Sequence, residues 1–373
     1  MTHRKVLLLG LLWLAWIWTL AFLARDVLPA LPGHPTSWSA DFAARAVPLA
    51  RWDSGWYAGL AEKGYEAPPT EVSQQTNHAF FPLYPMLVRG VSALTGLETT
   101  RAGALVSALA FLGALPLFAR FVRRRFGEDL VLPALSLLLL FPPSFFFAAV
   151  YTESLVLLLS LLALEAAESD RPGLAFVAGF LAGLTRISGL LLVPLIGLAV
   201  YRAERRPMKS IGLALGPAAG FAAFMAYFAV RFGDPFLFSK AQHNWAKEAK
   251  TVIDGPLLFA REILQDLTVG PLRKIQMVEA GMLFLFLVLA VVLVKRRPPL
   301  WPEGIYVALC VAIVILTGTR ESGGRYVLVA FPAFAALAGL LEGRRALLAG
   351  VLATCAVLQA FYVVRFVNWL WVG

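Results

Sequence analysis

Long apolar runs separated by short connections constrain this chain more than any other feature. The first run extends from Val6 to Ala24, and at about 1.5 Å per residue a helix of that length crosses a hydrocarbon layer of about 30 Å. The chain has 373 residues, of which 59% are hydrophobic and 15% are charged, whereas a soluble domain has about 25% charged residues. This excludes a soluble enzyme, a disordered chain and a fibrous repeat, and it predicts an all-α polytopic membrane protein.

The apolar runs predict about eleven transmembrane helices. We interpret the first as a retained span, because it is longer and richer in tryptophan than the core of a cleaved signal peptide. No internal repeat and no separate soluble domain is visible, so residues 1–373 are expected to form one membrane domain. The predicted spans are 6–24, 101–120, 130–149, 153–168, 173–185, 188–201, 210–230, 278–294, 303–317, 326–341 and 346–366.

Basic residues are concentrated in alternate connections. Because Lys and Arg favour the cytoplasmic side of a membrane, this pattern predicts a cytoplasmic amino terminus in a multi-pass protein of the cell membrane (the inner membrane in a bacterium). The net charge of +10 then reflects topology, and no nucleic-acid partner is expected. The basic connections contain Arg4 and Lys5, Arg123–Arg125, Arg202, Arg205, Arg206 and Lys209, Lys295–Arg297, and Arg344 and Arg345.

The first long outer segment, 25–100, is too apolar for an open loop and predicts interfacial helices. Asp53 can cap a helix that begins at Ser54, and Gly64 can end that helix. Asp53 is therefore either a plain N-cap or a catalytic carboxylate, and the two roles are compatible. The neighbouring Trp52, Trp56 and Tyr57 fit either a sugar ring or an interfacial aromatic belt.

The second long outer segment, 231–277, contains an amphipathic stretch at 236–250 that predicts an interfacial helix with a solvated basic side. His243 and Trp245 within it could instead bind phosphate and sugar. No metal or other cofactor is expected, because the four histidines, at 3, 34, 78 and 243, are scattered and no D-x-D or H-x-x-H cluster occurs.

Four short blocks resemble the signature of the PIG-V mannosyltransferases. The strongest block spans 51–85 and consists of RWDSGWYAGLAEKGY at 51–65 and NHAFFPLYP at 77–85. FPPSFFFAAVYTESL at 141–155 and LTRISGLL at 184–191 follow in the family's order, although Ser188 stands where the family often has Asn. GRYVLVAFP at 324–332 resembles a further Arg-led segment of the family.

The resemblance implies a membrane glycosyltransferase of the GT-C fold that takes a hexose, expected to be mannose, from a polyprenyl-phosphate donor. The acceptor would be a hydroxyl of a lipid, a glycolipid or another extracytoplasmic molecule, and the partners also include membrane lipids. By motif position, Asp53 is the acidic catalytic residue, here a general base on the extracytoplasmic face. The expected substrate-binding residues are Trp52, Trp56, Tyr57, Asn77, Phe81, Tyr84, Glu153, Arg186, His243, Trp245, Arg325 and Tyr326.

Charged residues in short outer loops are candidates for binding the leaving phosphate, because a guanidinium offers a planar fork of donors. We favour Arg186 and Arg325, and we interpret Arg320 as a span-end residue that reaches to the interface. Glu153 begins a predicted span. It either interacts with the positive helix end, or pairs with an arginine or orients the acceptor.

Two other classes of protein fit this composition. A lipid-linked sugar flippase or a secondary transporter would place ionisable groups mid-membrane on broken helices in matching halves, and a non-catalytic scaffold would not need a carboxylate among Trp and Tyr. The predicted span interiors are nearly free of charge, and the polar residues are concentrated on the outer face. This distribution favours surface chemistry on a lipid substrate.

Overall fold

The computed structural model describes residues 1–26, 42, 46–68, 75–243, 254, 256–258, 274–296, 298–316 and 322–372, and over these residues the chain is helical without any strand. The all-α prediction is therefore confirmed. The helices are α1 (His3–Asp26), α2 (Ser54–Lys63), α3 (Leu83–Thr95), α4 (Thr99–Phe126), α5 (Val131–Leu140), α6 (Glu153–Glu168), α7 (Pro172–Gly183), α8 (Leu192–Glu204), α9 (Pro207–Phe232), α10 (Leu237–His243), α11 (Lys274–Lys295), α12 (Trp301–Ile315), α13 (Gly323–Tyr326), α14 (Pro332–Leu340) and α15 (Arg345–Val367).

Six helical segments among the described residues are long and apolar enough to cross a membrane, or seven if the bent pair Gly323–Val329 and Pro332–Leu340 is one span. The chain is an integral membrane protein, but the predicted count of eleven spans is not confirmed. Other predicted spans carry shorter helices, such as α7 with 12 residues, which is about 18 Å long. The six segments are His3–Asp26, Thr99–Phe126, Ile187–Glu204, Pro207–Phe232, Gln276–Lys295 and Arg345–Val367.

The predicted span at 130–149 is not one continuous helix. Helix α5 ends at Leu140, and Phe141 leaves the helical conformation at φ −54 and ψ 136. The reason is local, because two prolines follow, and a proline disfavours helical geometry in the residue before it. Residues Pro142–Phe147 continue as a 3₁₀ helix.

The chain divides into two compact units. Unit 1 comprises Met1–Gly64, Pro82–Glu165 and Phe334–Val372, and unit 2 comprises Tyr65–Phe81 and Ala166–Ala333. The expectation of one domain over residues 1–373 stays a prediction.

In unit 1, α1 packs against α4 and α15, and α2 and α3 pack together and on α4. The fully buried Gln359 of α15 accepts a 3.3 Å hydrogen bond from the Trp13 indole of α1. Its amide nitrogen donates to the carbonyl oxygens of Leu139 and Phe141, at 2.8 and 3.0 Å. This glutamine satisfies the carbonyl groups at the end of α5 inside an apolar interior, where unpaired polar groups are costly.

In unit 2, helices α7 and α9 approach closely through glycines. A Cβ atom on Gly220 would lie 2.0 Å from the carbonyl oxygen of Phe180, and one on Gly183 would lie 2.2 Å from that of Pro217. Only glycine fits these positions. Such contacts between small residues are typical of helix pairs in membranes, where van der Waals packing drives association.

An ion pair joins α8 to α12 within unit 2. The guanidinium of Arg202 donates to both carboxylate oxygens of Glu303, at 3.0 and 3.2 Å, and the Glu303 side chain is completely buried. A paired and hydrogen-bonded charge is the form in which a buried carboxylate is tolerated.

The first outer segment contains the two helices α2 and α3. Helix α2 has the predicted limits, and Gly64 ends it with a positive φ of 79. Helix α3 buries Tyr84 and Val88 but exposes 64% of Met86 and 88% of Leu94. An amphipathic helix of this kind suits the membrane interface, although its placement there stays a prediction.

Candidate active site

Asp53 immediately precedes α2 and is half-buried. Its backbone carbonyl accepts hydrogen bonds from the amides of Trp56 and Tyr57, at 3.0 and 3.2 Å. Its carboxylate, however, makes no capping hydrogen bond, so that part of the sequence prediction is wrong. The cause is that Asp53 adopts helical dihedrals, φ −56 and ψ −21, instead of the extended conformation that turns an N-cap side chain back onto the helix. The carboxylate is therefore not used to start α2.

Two tyrosines of unit 1 pack against Tyr57 of α2. The ring centroid of Tyr57 lies 5.4 Å from that of Tyr84 and 6.0 Å from that of Tyr151. The Tyr84 hydroxyl donates to the carbonyl of Gly103 and hydrogen-bonds the Ser107 hydroxyl, both at 2.9 Å. Complete burial raises the pKa of Tyr84 well above its usual value. Tyr57 and Tyr84 are thus scaffold residues, and their contact with substrate stays a prediction.

The motif at 141–155 packs directly against the chain that leads into Asp53. The amide of Val150 donates to the carbonyl of Leu49 at 3.2 Å, and the Tyr151 hydroxyl donates to the carbonyl of Arg51 at 3.0 Å. Glu153 follows as the first residue of α6 and is 1% exposed. Two blocks that are about 100 residues apart in sequence therefore form one structure in unit 1.

Arg51 is a residue of this site that the sequence analysis did not select. Its Nε donates to the carbonyl of Val367, and its Nη1 donates to the carbonyls of Val47 and Ala50, all at 3.0 Å. Burial lowers the pKa of Arg51 to about 10, and the positive charge of Arg25 contributes in the same direction. The signal that could have identified it is its place at the head of the RWD motif.

In unit 2, the segment Asn77–Phe81 is held by residues on both sides of it. The Tyr65 hydroxyl donates to the carbonyl of Phe80 at 2.6 Å, and the Gln242 amide donates to that of Ala79 at 2.9 Å. Asn77 is 6% exposed, and Phe81 packs on Phe224 with 4.7 Å between ring centroids. Helix α10 of the second outer segment therefore contacts the NHAFF motif.

His78 lies in the same segment and is 1% exposed. Its Nε2 lies 3.0 Å from the carbonyl of Glu66 and must donate there, while its ring stacks on Tyr65. Burial lowers the pKa of His78, and the hydrogen bond to Glu66 opposes this shift. His243 ends α10, but its side chain lies outside the described part of the structure, as do Trp245 and Arg320 entirely.

The two favoured arginines meet on one aromatic ring in unit 2. The guanidinium carbon of Arg186 lies 4.7 Å from the ring centroid of Tyr326, and that of Arg325 lies 5.4 Å from it. Arg325 is 6% exposed and Arg186 is half-buried. The blocks at 184–191 and 324–332 are thus neighbours, and two positive charges share one site. Such a pair is suited to an anion.

Glu279 supports this arginine pair and was not among the predicted site residues. It is 1% exposed on α11, and its Oε2 accepts a hydrogen bond from the backbone amide of Gly324, next to Arg325. One turn further along the helix, Leu283 packs against Gly323. A carboxylate inside an apolar helix was the available signal, because such residues are costly in a membrane and are retained for a purpose.

No group of three or more His, Cys, Asp or Glu side chains that could hold a metal ion occurs among the residues that the structure describes. The described residues therefore present a carboxylate at the start of α2 in unit 1 and, separately, an aromatic ring with two guanidiniums in unit 2.

Comparison with known proteins agrees with this architecture. The family model described as Mannosyltransferase (PIG-V) matches residues 29–201, a little under half of the chain. No curated protein matches the chain.

Solved structures share the fold at low sequence identity. The apo oligosaccharyltransferase of Archaeoglobus fulgidus has a TM-score of 0.54 and 17% identity, over 98% of this chain and 56% of that one. The same enzyme tethered to an acceptor peptide has a TM-score of 0.51 and 15% identity, over 98% and 55%. ArnT from Cupriavidus metallidurans bound to undecaprenyl phosphate has a TM-score of 0.53 and 17% identity, over 93% and 64%. The chain therefore spans less than two thirds of the length of these proteins.

The chain shares the fold of these proteins, which is the GT-C type expected from the sequence. The match of the Mannosyltransferase (PIG-V) family model to residues 29–201 agrees with the resemblance carried by the motifs in that part of the chain.

Proposed function

We propose that this protein transfers a hexose, mannose by its family, from a polyprenyl phosphate to a hydroxyl group of a lipid-linked or other extracytoplasmic acceptor. The observation that carries the proposal is the carboxylate of Asp53. It is half-buried, it does not cap α2, and the adjoining backbone is held by Tyr151 and Arg51. A carboxylate that is held next to a fixed backbone, and that does not bond the first amides of the helix, is suited to act as a general base.

In the proposed reaction, the acceptor oxygen forms a bond to the anomeric carbon of the donor sugar. The bond between that carbon and the phosphate oxygen breaks, its electron pair stays with the oxygen, and polyprenyl phosphate leaves. Asp53 takes the proton of the acceptor hydroxyl, which increases the nucleophilicity of the oxygen during attack. Atoms and charge balance without a further reactant.

The departing phosphate gains negative charge, and fixed cations stabilise such a transition state. Arg186 and Arg325 are proposed for this role, because both guanidiniums lie on the Tyr326 ring. Support for a lipid phosphate comes from ArnT, a protein of the same fold whose structure was determined with undecaprenyl phosphate. Trp56, Asn77, Glu153, His243 and Trp245 are proposed to contact the substrates.

We place the amino terminus in the cytoplasm and the Asp53 site on the outer face of the membrane. The basic last turn of α4, with Arg123, Arg124 and Arg125, supports this orientation through the preference of such residues for the cytoplasmic side. In a bacterial cell the membrane would be the inner one.

The test is transfer by purified protein in detergent or nanodiscs, with undecaprenyl-phosphate mannose as donor and lipid or glycolipid acceptors. Asp53→Asn keeps the shape of the side chain but removes the base, so kcat should fall about 10²-fold or more. Asp129→Asn is the matched control, because Asp129 is exposed in the short connection between α4 and α5, and it should turn over like wild type. Equal transfer by wild type and Asp53→Asn would exclude Asp53 as the base.

A further inference from the structure

A tryptophan cluster in unit 1 joins the RWD motif to the carboxyl-terminal segment 368–372. The ring centroid of Trp52 lies 5.2 Å from that of Trp371 at an interplanar angle of 88°, and 5.8 Å from that of Trp369 at 66°. Trp371 is 39% exposed. The indoles of Trp52 and Trp371 therefore form a right-angled corner, one residue from Asp53.

The backbone of this cluster is held in an unusual conformation. Trp52 has φ 54 and Trp369 has φ 59, and both belong to the left-handed region that bulky residues rarely adopt. Such a conformation is strained and persists only where the surrounding structure imposes it, most often at functional sites. Simple packing of two indoles does not require this strain at both residues.

The guanidinium of Arg51 holds the backbone on both sides of this cluster. It donates to the carbonyl of Val367, the last residue of α15, as well as to the carbonyls of Val47 and Ala50. The guanidinium carbon also lies 5.1 Å from the Trp369 ring centroid. One buried side chain thus fixes both the backbone before Asp53 and the start of the carboxyl-terminal segment.

We propose that segment 368–372 completes the sugar-binding part of the Asp53 site, with the exposed indole of Trp371 stacking on the apolar face of a pyranose ring. The inference rests on the proposed function and extends it to a part of the chain beyond residues 29–201. An aromatic surface next to an acidic residue matches a sugar, because the ring has an apolar face and polar hydroxyls at its edge. The pyranose ring belongs either to the donor or to the acceptor, and the KM values for the two substrates distinguish these cases.

The first experiment does not require turnover. Hydrogen exchange of the backbone of residues 367–372 is measured by mass spectrometry in nanodiscs, with undecaprenyl-phosphate mannose and separately with undecaprenyl phosphate. If the donor sugar occupies the corner, exchange slows with the mannosyl lipid only. If the acceptor sugar occupies it, slowing requires octyl α-mannoside, the acceptor probe. Slowing by undecaprenyl phosphate alone would show a lipid contact, and no slowing by any probe would show a structural tail. Either result overturns the proposal.

The second experiment uses Trp371→Ala, with Trp371→Tyr to retain an aromatic face. The KM of one substrate, donor or acceptor, should rise about tenfold or more in Trp371→Ala, with kcat changed less, and Trp371→Tyr should restore most of the affinity. Trp16→Ala is the control, since Trp16 is 45% exposed on α1. If Trp371→Ala is folded and its KM values equal those of the wild type, the inference is wrong. Transfer by the wild-type protein then shows that the proposed function is unaffected. Absence of transfer in wild type contradicts the proposed function instead, and the exchange experiment still decides the role of the tail.

Discussion

The hydroxyl of Tyr151 donates a 3.0 Å hydrogen bond to the backbone carbonyl of Arg51. This single bond connects two motifs that lie about 100 residues apart, and it acts two residues before Asp53. Because both groups are buried, loss of the donor would leave the carbonyl unsatisfied in an apolar interior.

Tyr151→Phe keeps the ring and removes only that donor. We expect a loss of about 1–3 kcal/mol in stability and a fall in kcat that exceeds the fall in folded protein, because the backbone before Asp53 loses its support. Thermal unfolding in detergent and initial transfer rates measure the two effects. Tyr227→Phe is the control, since Tyr227 is 46% exposed. A Tyr151→Phe protein as stable as Tyr227→Phe would contradict the prediction.

The close approach of α7 and α9 predicts a strong asymmetry between two glycines of α9. In Gly220→Ala the new methyl group would lie 2.0 Å from the carbonyl oxygen of Phe180, whereas in Gly212→Ala it would meet nothing within 4 Å. Overpacking of this kind costs about 1–3 kcal/mol, so Gly220→Ala should lower the thermal midpoint clearly. Gly212→Ala should leave it unchanged or raise it slightly. Equal thermal midpoints for the two variants would contradict the prediction, because α7 and α9 would then be able to move apart without loss of stability.

Because His78 is buried, we expect the protein to lose stability in mild acid. Burial lowers the pKa of His78 in the folded protein, whereas the unfolded chain has a value of about 6.5. The unfolded state therefore binds the proton first, and stability that is complete above about pH 6.5 is lost as the pH falls below it towards the lower, folded pKa.

The measurement is the thermal midpoint between pH 8 and pH 5. His78→Phe keeps a ring against Tyr65, and its thermal midpoint should fall less steeply with decreasing pH than that of the wild type. His3→Asn, at an exposed position in α1, should keep the wild-type slope. A His78→Phe slope equal to that of wild type would assign the acid sensitivity to other groups.

The hydrogen bond of Glu279 leads us to expect different stabilities for two substitutions at this position. Glu279→Gln retains an oxygen that can accept from the Gly324 amide, while Glu279→Leu leaves this buried amide unsatisfied at a cost of about 1–3 kcal/mol. We therefore expect Glu279→Leu to be the less stable variant. It should also raise the KM for the polyprenyl-phosphate donor, because Arg325 follows directly. Unchanged donor KM in a destabilised Glu279→Leu protein would limit Glu279 to a structural role.

Local features of this fold were predictable from the sequence. The limits of α2 and α6 follow from turn residues and apolar runs, and the break after α5 has its cause in Pro142 and Pro143. The failed cap at Asp53 shows the limit of this approach, since the backbone there is helical and propensity alone does not report it. Residue type suggested a cap, and the surrounding structure decided against it.

Contacts between distant parts of the chain could not be predicted in the same way. The Nε of Arg51 reaches the carbonyl of Val367, 316 positions along the chain, and no local pattern encodes that pairing. Arg51 and Glu279 were not selected from the sequence, because their hydrogen bonds depend on the segments that fold against them. Arg186 and Arg325 were selected because a guanidinium suits a leaving phosphate, but their shared ring at Tyr326 required the structure.

The ion pair between Arg202 and Glu303 has a consequence for the order in which the protein is made. Arg202 is synthesised 101 residues before its partner, so its guanidinium cannot form this ion pair when α8 is made. Glu303 cannot enter its dry position until α12 arrives alongside α8. The ion pair can therefore form only after α12 has been synthesised and has packed against α8.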